Sequence, residues 1–211
     1  MSPPNLREPT RGSPTEVLDA LKFLIMATKV DRNEVLSSIQ VNVQDKNMVK
    51  HMLATEAIMC ALAKRLGENE EEWGLTGLLH DIDVELVEGD MNSHSKLGAD
   101  IARELGASET ITHAILCHNE AHGIPRETKL DKALFCADPL SGLITAAALV
   151  RPDKLSGLLT KSVMKRFREK RFAAGVNREQ LLSCREIGLE LEEFITLGIE
   201  AMKGIALELE L

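Results

Sequence analysis

A histidine and an aspartate sit side by side at the end of an apolar helical turn, in Gly77-Leu78-Leu79-His80-Asp81-Ile82-Asp83. A neutral imidazole and a carboxylate are both ligands for Zn, Fe or Mn, and among apolar neighbours an unpaired carboxylate is costly enough to call for a cation. The same pair also suits a helix C-terminus, where the imidazole complements the dipole and the carboxylate faces water. Other polar groups tip the balance. His51 falls near the start of an apolar helix, His94 lies three residues before Leu97, and His118 completes an i, i+3, i+4, i+7 set with Ile111, Ala114 and Ile115. Asp138 follows Leu134 by four. Any one of these is commonly a satisfied core residue. Four on inward faces, beside the His80-Asp81 pair, are satisfied together by a shared cation. Six N/O ligands hold two ions, and His51, His80, Asp81 and Asp138 suffice for one.

The elements that must carry these groups read as helices throughout. Thr15 to about Lys29 is a short amphipathic helix, and 31–44 is ambiguous between a further helix and a connector. Lys46 to Leu66 is apolar nearly all round and stops at Gly67. Asn69 caps a helix whose first turn, Glu70-Glu71-Glu72, suits the positive dipole end and whose last turn delivers His80-Asp81. Asn92 or Ser93 is expected to cap the next, with His94 in its first turn and Gly106 at its end. Ser108 opens a helix carrying His118, with His113 off its apolar stripe, and Gly123-Ile124-Pro125 breaks it. Leu130 to Asp138 rebuilds a helix up to Pro139, and 141–150 is a separate apolar run. Asn177 with Gln180 resembles a capping box, and 190–209 closes the chain as one amphipathic helix. No strand-period run competes.

Composition narrows the class. With 3% aromatic residues and no Tyr among 211, Leu, Ile, Val, Ala and Met must fill the core, which favours helices. The net charge of −8 argues against general nucleic-acid binding and against anionic membranes, which leaves small molecules as partners. Cysteines 60, 117, 136 and 184 form no C-x-x-C pair, which fits reduced thiols and a cytoplasmic setting. Residues 1–14 carry four prolines and no apolar run; they read as a disordered tail rather than a signal peptide or anchor.

The order His51, His80-Asp81, Asp138 resembles the signature of the HD superfamily of metal-dependent phosphohydrolases. Gly77 to Asp83 is similar to its HDIG subgroup, with Asp83 where that subgroup has Gly. His94-Ser95-Lys96-Leu97-Gly98-Ala99 resembles the H-x-x-x-G-A element, and Cys117-His118-Asn119-Glu120 the His-rich helix, which together supply the second metal in dinuclear members. The likeness runs from about Met48 to Gly142, and 161–209 is similar to the C-terminal part of bacterial HDIG proteins. Two departures stand out. Val84 occupies the place where several dinuclear members carry Lys. His118-Asn119 replaces the tandem His of the cyclic-di-GMP phosphodiesterases and their Gly-Tyr-Pro element is missing, which disfavours cyclic-di-GMP cleavage.

The resemblance implies an all-α, single-domain helical bundle of the HD-domain type. It divides into a tail (1–14), a helical extension (15–44), the metal-binding core (45–150) and C-terminal helices completing the same domain (151–211). It also implies hydrolysis of phosphate esters, of nucleotides or other small phosphorylated substrates, with one or two divalent ions (Fe, Mn, Zn, Co or Mg). Asp81 is the expected bridge between a first ion at His51, His80 and Asp138 and a second at His94 and His118. A lowered pKa of a bound water supplies the nucleophile. Lys161, Lys165, Arg166 and Arg171 are expected to bind the phosphoryl group, although a solvated helix face explains them equally. Asp83, His113 and His122 stand as alternatives for proton donation to the leaving group. Two other readings share the scaffold: a di-iron oxygenase, and a nucleotide-sensing module without turnover. Homodimerisation through the N-terminal helix stays open.

Overall fold

A computed structural model describes residues 30–211. The expectations for the tail and for the helix from Thr15 to Lys29 fall outside these. Among the described residues every regular element is helical, in ten α-helices and two 3₁₀ segments. An all-α bundle therefore stands.

Five helices build the part that matters most: α1 (Arg32–Asn42), α2 (Lys46–Leu66), α3 (Glu70–Leu79), α4 (Lys96–Glu104) and α5 (Glu109–His118). The long α6 (Lys129–Leu149) follows, then α7 (Thr160–Arg168), α8 (Arg178–Leu182), α9 (Leu191–Gly204) and α10 (Ala206–Leu209). Their starts are chemically marked. Asp31, Asp45, Asn69, Ser108 and Asn177 each accept backbone N–H groups of the following turn, and Thr128 with Asp131 forms a reciprocal capping box on α6. The 31–44 stretch resolves as α1, whose Val35 and Ile39 are buried.

Two apolar clusters hold the bundle. One joins α6 to α2 and the C-terminal helices through Ile58, Leu62, Leu134, Leu140, Ile144 and Phe194. The other joins α1, α3, α4 and α5 through Ile39, Met52, Leu78, Leu79 and Ile115. Helix α2 contributes to both, being apolar nearly all round. It also lies very close to α3: a Cβ on Gly77 would stand 2.8 Å from the Thr55 carbonyl oxygen, so only glycine permits this approach one turn before His80. Arg32 reaches from α1 to Glu56 on α2 by a two-pronged ion pair of 2.5 and 2.8 Å.

Three sequence expectations are corrected. The helix holding Asp138 does not end at Pro139 but runs through it to Leu149. A proline there leaves the Phe135 carbonyl without its helical donor, and the Gln180 side chain supplies one at 2.8 Å. Gln180 is thereby spent on α6 rather than on a capping box with Asn177. The terminal helix also breaks, at Ile205 (φ −122°, ψ 25°), so that α9 and α10 are separate. By length and composition α6 is long and apolar enough to cross a membrane, yet it lies mostly buried within the bundle.

Candidate metal centre

Six side chains from separate stretches of chain meet at one place. His51 comes from the second turn of α2, His80-Asp81 from the end of α3, His118 from the last turn of α5, and Asp138 from the middle of α6. His94 arrives differently from expectation. It precedes α4 rather than lying in its first turn, because Ser95 takes a left-handed backbone (φ 71°) and the helix begins only at Lys96. The Asn119 side chain holds the turn by donating to the Met91 and His94 carbonyls, at 2.8 and 3.1 Å. His122 Nε2 donates to the same His94 carbonyl at 2.6 Å.

Asp81 is the centre of this arrangement. Its Oδ2 lies 3.5 Å from His51 Nε2 and 3.3 Å from His80 Nε2. Its Oδ1 lies 3.5 Å from both His94 Nε2 and His118 Nε2. Asp138 Oδ1 stands 3.2 Å from His51 Nε2 and 3.9 Å from His80 Nε2. These separations lie far inside the roughly 8 Å beyond which bonds of about 2 Å could not share a cation.

Every one of the four imidazoles turns Nε2 inward and anchors Nδ1 elsewhere. His80 Nδ1 donates to the Gly77 carbonyl at 2.8 Å, and His118 Nδ1 to the Ile115 carbonyl at 2.5 Å. His94 Nδ1 donates to Asp83 Oδ1 at 2.8 Å. Ser141 Oγ gives its proton to the Asp138 carbonyl and so accepts from His51 Nδ1, at 2.8 Å. When neutral, all four rings therefore point lone pairs at two carboxylates, with no donor among them. His51 and His80 even face each other Nε2 to Nε2 at 3.1 Å, which requires a proton or a cation between them. The donor set fits a divalent ion on this ground alone.

Without such an ion the cluster compensates with a proton. Burial lowers the His51 imidazole, but Asp138 and Asp81 outweigh it and raise it to about 10. Burial likewise raises the Asp81 carboxyl, and the surrounding imidazoles, led by His80, hold it well below the usual range. Asp138 is lowered too, against its own burial, chiefly by its contact with His51.

Asp83 takes a different place from the proton donor expected of it. It is fully buried, with Oδ1 on His94 and Oδ2 accepting from the Ser95 and Gly98 amides at 2.7 and 2.8 Å. With both oxygens engaged it positions His94. Gly98 is small for this reason, since a Cβ would come within 3.2 Å of that carboxylate. His113 faces Asp131 rather than the cluster, at 3.2 Å.

The four expected phosphate-binding cations do not gather at the cluster either. Lys165 and Arg166 line a cavity of about 510 Å³ with Arg151 and Ser162, and it shares no residue with the cavity beside His51. Arg166 pairs with Glu169 and stacks on Phe172. Lys161 and Arg171 line neither cavity. The cavity that reaches His51, about 310 Å³, is instead lined by Lys50 and Lys154, which sequence reasoning passed over. Lys50 adjoins His51 in sequence, the one cue available; Lys154 gave none. Ser141 and Asn119 were also missed as orienting groups.

The family model of the HD domain matches residues 48–143, the span that carries all six side chains. Residues 48–143 are an HD domain. The HD superfamily is one of metal-dependent phosphohydrolases. Among curated proteins the HD region is similar to ribonuclease Y of Oleidesulfovibrio alaskensis (33% identical over 97 residues, 46% of this chain and 18% of that one). It is 35% identical over 97 residues to ribonuclease Y of Syntrophobacter fumaroxidans, again 46% and 18% of the two chains. Ribonuclease Y of Lawsonia intracellularis is 33% identical over 104 residues, 49% of this chain and 20% of its own. The chain thus spans about a fifth of the length of these relatives. No solved structure matches it significantly.

Proposed function

We propose that this HD domain hydrolyses phosphate esters of nucleotides at a two-ion centre formed by His51, His80, Asp81, His94, His118 and Asp138. The observation that carries the reading is Asp81, each of whose oxygens faces a different pair of imidazole nitrogens, as a carboxylate bridging two cations must. Divalent ions bound there supply Lewis-acid activation of water and of a phosphoryl oxygen.

What the protein adds is position and charge. The Nδ1 anchors fix four lone pairs before any ligand arrives, so no ring must reorient. Lys50 and Lys154 place two cations on the cavity next to His51, where a phosphoryl group carries its charge. Both contact Glu210, Lys50 through its carboxylate and Lys154 through its carbonyl, each at 2.5 Å. An arriving phosphate competes with Glu210 for them. At about 310 Å³ the cavity lies at the small end of ligand pockets and suits a mononucleotide or the end of a strand. The name of the relatives, ribonuclease Y, adds RNA phosphodiesters to the substrates worth trying, while the net charge of −8 favours small ones.

The test is a metal-stripped chain reloaded with Mn, Co, Zn or Fe and offered nucleoside phosphates and short RNA, beside an Asp81→Ala control. Metal-dependent release of product, absent from the control, supports the proposal. Release equal in both, or nucleotide binding without turnover, overturns it. Oxygen consumption confined to the iron form would transfer the centre to oxygenase chemistry.

A further inference from the structure

A second group of metal-ligand side chains lies outside the six. His113 and Cys117 are four apart on α5, hence on one face, and Asp131 sits in the first turn of α6 against them. One ligand atom from each lies within 4.8 Å of the other two. Asp131 is completely buried. Its Oδ2 accepts from the Glu127 and Thr128 amides at 2.9 and 2.8 Å, which completes the cap of α6. Its Oδ1 is buried with no hydrogen-bond partner, and so is His113 Nδ1. That nitrogen stands 3.2 Å from Asp131 Oδ2 without the alignment of a hydrogen bond. Two orphaned polar atoms beside a buried thiol are an expensive arrangement, since a buried polar group left unsatisfied forfeits the hydrogen bonds it made to water.

We infer that His113, Cys117 and Asp131 form a further metal site, of the zinc type, that clips α5 to the start of α6. The cation supplies what both orphaned atoms lack, and the thiol releases its proton to water as it binds. Sulfur, imidazole nitrogen and carboxylate oxygen together select zinc or cobalt over magnesium or calcium. Three protein ligands leave a fourth position for water, which reaches it along the partly exposed side of His113. The clip has a structural use. Helix α5 also carries His118 and α6 also carries Asp138, so fixing one helix on the other fixes two ligands of the larger centre.

Cobalt distinguishes the two sites, because only this one offers a thiolate. The full chain, stripped and titrated with Co²⁺, is expected to develop a near-ultraviolet thiolate-to-cobalt band, to lose it in Cys117→Ser, and to keep it in Asp81→Ala. Cys60, Cys136 and Cys184 belong to no such cluster among the described residues. Circular dichroism checks that each variant is folded. Should Cys117→Ser misfold, His113→Ala gives a second reading, since this half-buried ring can be removed with little disturbance. It is expected to need more cobalt for the same band. A folded wild-type chain without the band, a band that survives Cys117→Ser, or one unmoved by His113→Ala overturns the inference and leaves a plain His–Asp ion pair.

Discussion

The six-residue cluster has two halves that share Asp81 and differ in what holds them. On the outer side, His51 and Asp138 keep 21% and 28% of their side-chain surface, and the rings of His51 and His80 are oriented by neutral groups, the Ser141 hydroxyl and the Gly77 carbonyl. On the inner side, His94 and His118 keep 9% and 4%, and His94 is oriented by the buried carboxylate of Asp83. His51, in the outer half, lines one cavity with Lys50. The inner half carries an extra buried carboxylate behind one of its ligands, His94. An imidazole held by a buried carboxylate is a better-oriented ligand and binds a cation more tightly, so the inner half suits retention and the outer access.

The largest effect tests whether the halves are one centre at all. Asp81→Ala removes the only side chain common to both and should abolish metal binding in each. The loss should exceed the roughly 10–100-fold that removal of an outer partner costs. The difference in metal content between Asp81→Ala and the parent chain, by elemental analysis after gel filtration, reads it. If one full equivalent stayed in the imidazole cluster, the two halves would be independent sites. His118→Ala comes next. It should lower the stoichiometry by one and spare the ion held by His51, His80, Asp81 and Asp138, whereas loss of both would show that the inner ion must be in place before the outer.

Asp83→Asn asks whether charge behind His94 is what separates the halves. The amide oxygen replaces Oδ2 under the Ser95 and Gly98 amides, which turns the amide NH₂ toward His94 Nδ1. That nitrogen must then accept, its proton moves to Nε2, and the lone pair aimed at the centre is gone. Affinity of the inner half should fall about 10–100-fold with the outer unchanged, by competition against a chromophoric chelator. Equal weakening of both halves would refute the division.

How much of this was readable in advance depends on how local each signal is. Imidazoles and carboxylates at helical spacing announce an inward face, so the six residues could be named from periodicity and from their order along the chain. His94 was named for the wrong reason: its own turn places it, through the left-handed Ser95, and the distant Asn119 holds that turn. Pro139 reads as a stop because proline removes a donor, and the replacement, Gln180, lies 41 residues on. The cations of 161–171 were conspicuous as a run, yet none lines the cavity beside His51, and Lys165 and Arg166 line another. Lys154, 104 residues from Lys50, is brought beside it only by the packing of the C-terminal segment. Periodicity registers what one element does and is blind to pairings between elements.

A smaller effect concerns the proton that stands in for metal. With His51 raised to about 10 in the folded chain and near 6.5 unfolded, its contribution to stability is fully present below about 6.5. It is lost as pH rises toward about 10, by at most about 1.4 kcal/mol per unit. Asp81 and Asp138, both lowered, contribute above about 4 and lose that contribution as pH falls through their folded values. Metal-free protein should therefore melt at falling temperature from pH 6.5 to 10, while metal-loaded protein, which has already expelled the proton, stays level. Parallel curves would mean that His51 is not where the proton resides.

Ser141→Ala should have the smallest effect, and for that reason it probes the comparison most finely. It is the neutral counterpart of Asp83→Asn, removing the acceptor of one Nδ1 proton without reversing its polarity. Ser141 is almost wholly buried, so water reaches the freed His51 Nδ1 poorly and the full cost of one neutral hydrogen bond applies, about 1 kcal/mol or some fivefold in metal affinity. A cation bound at Nε2 keeps the proton on Nδ1. Stoichiometry should stay intact. If Ser141→Ala instead cost as much as Asp83→Asn, the two halves would owe their difference to ring orientation alone, and the buried charge behind His94 would have no separate role.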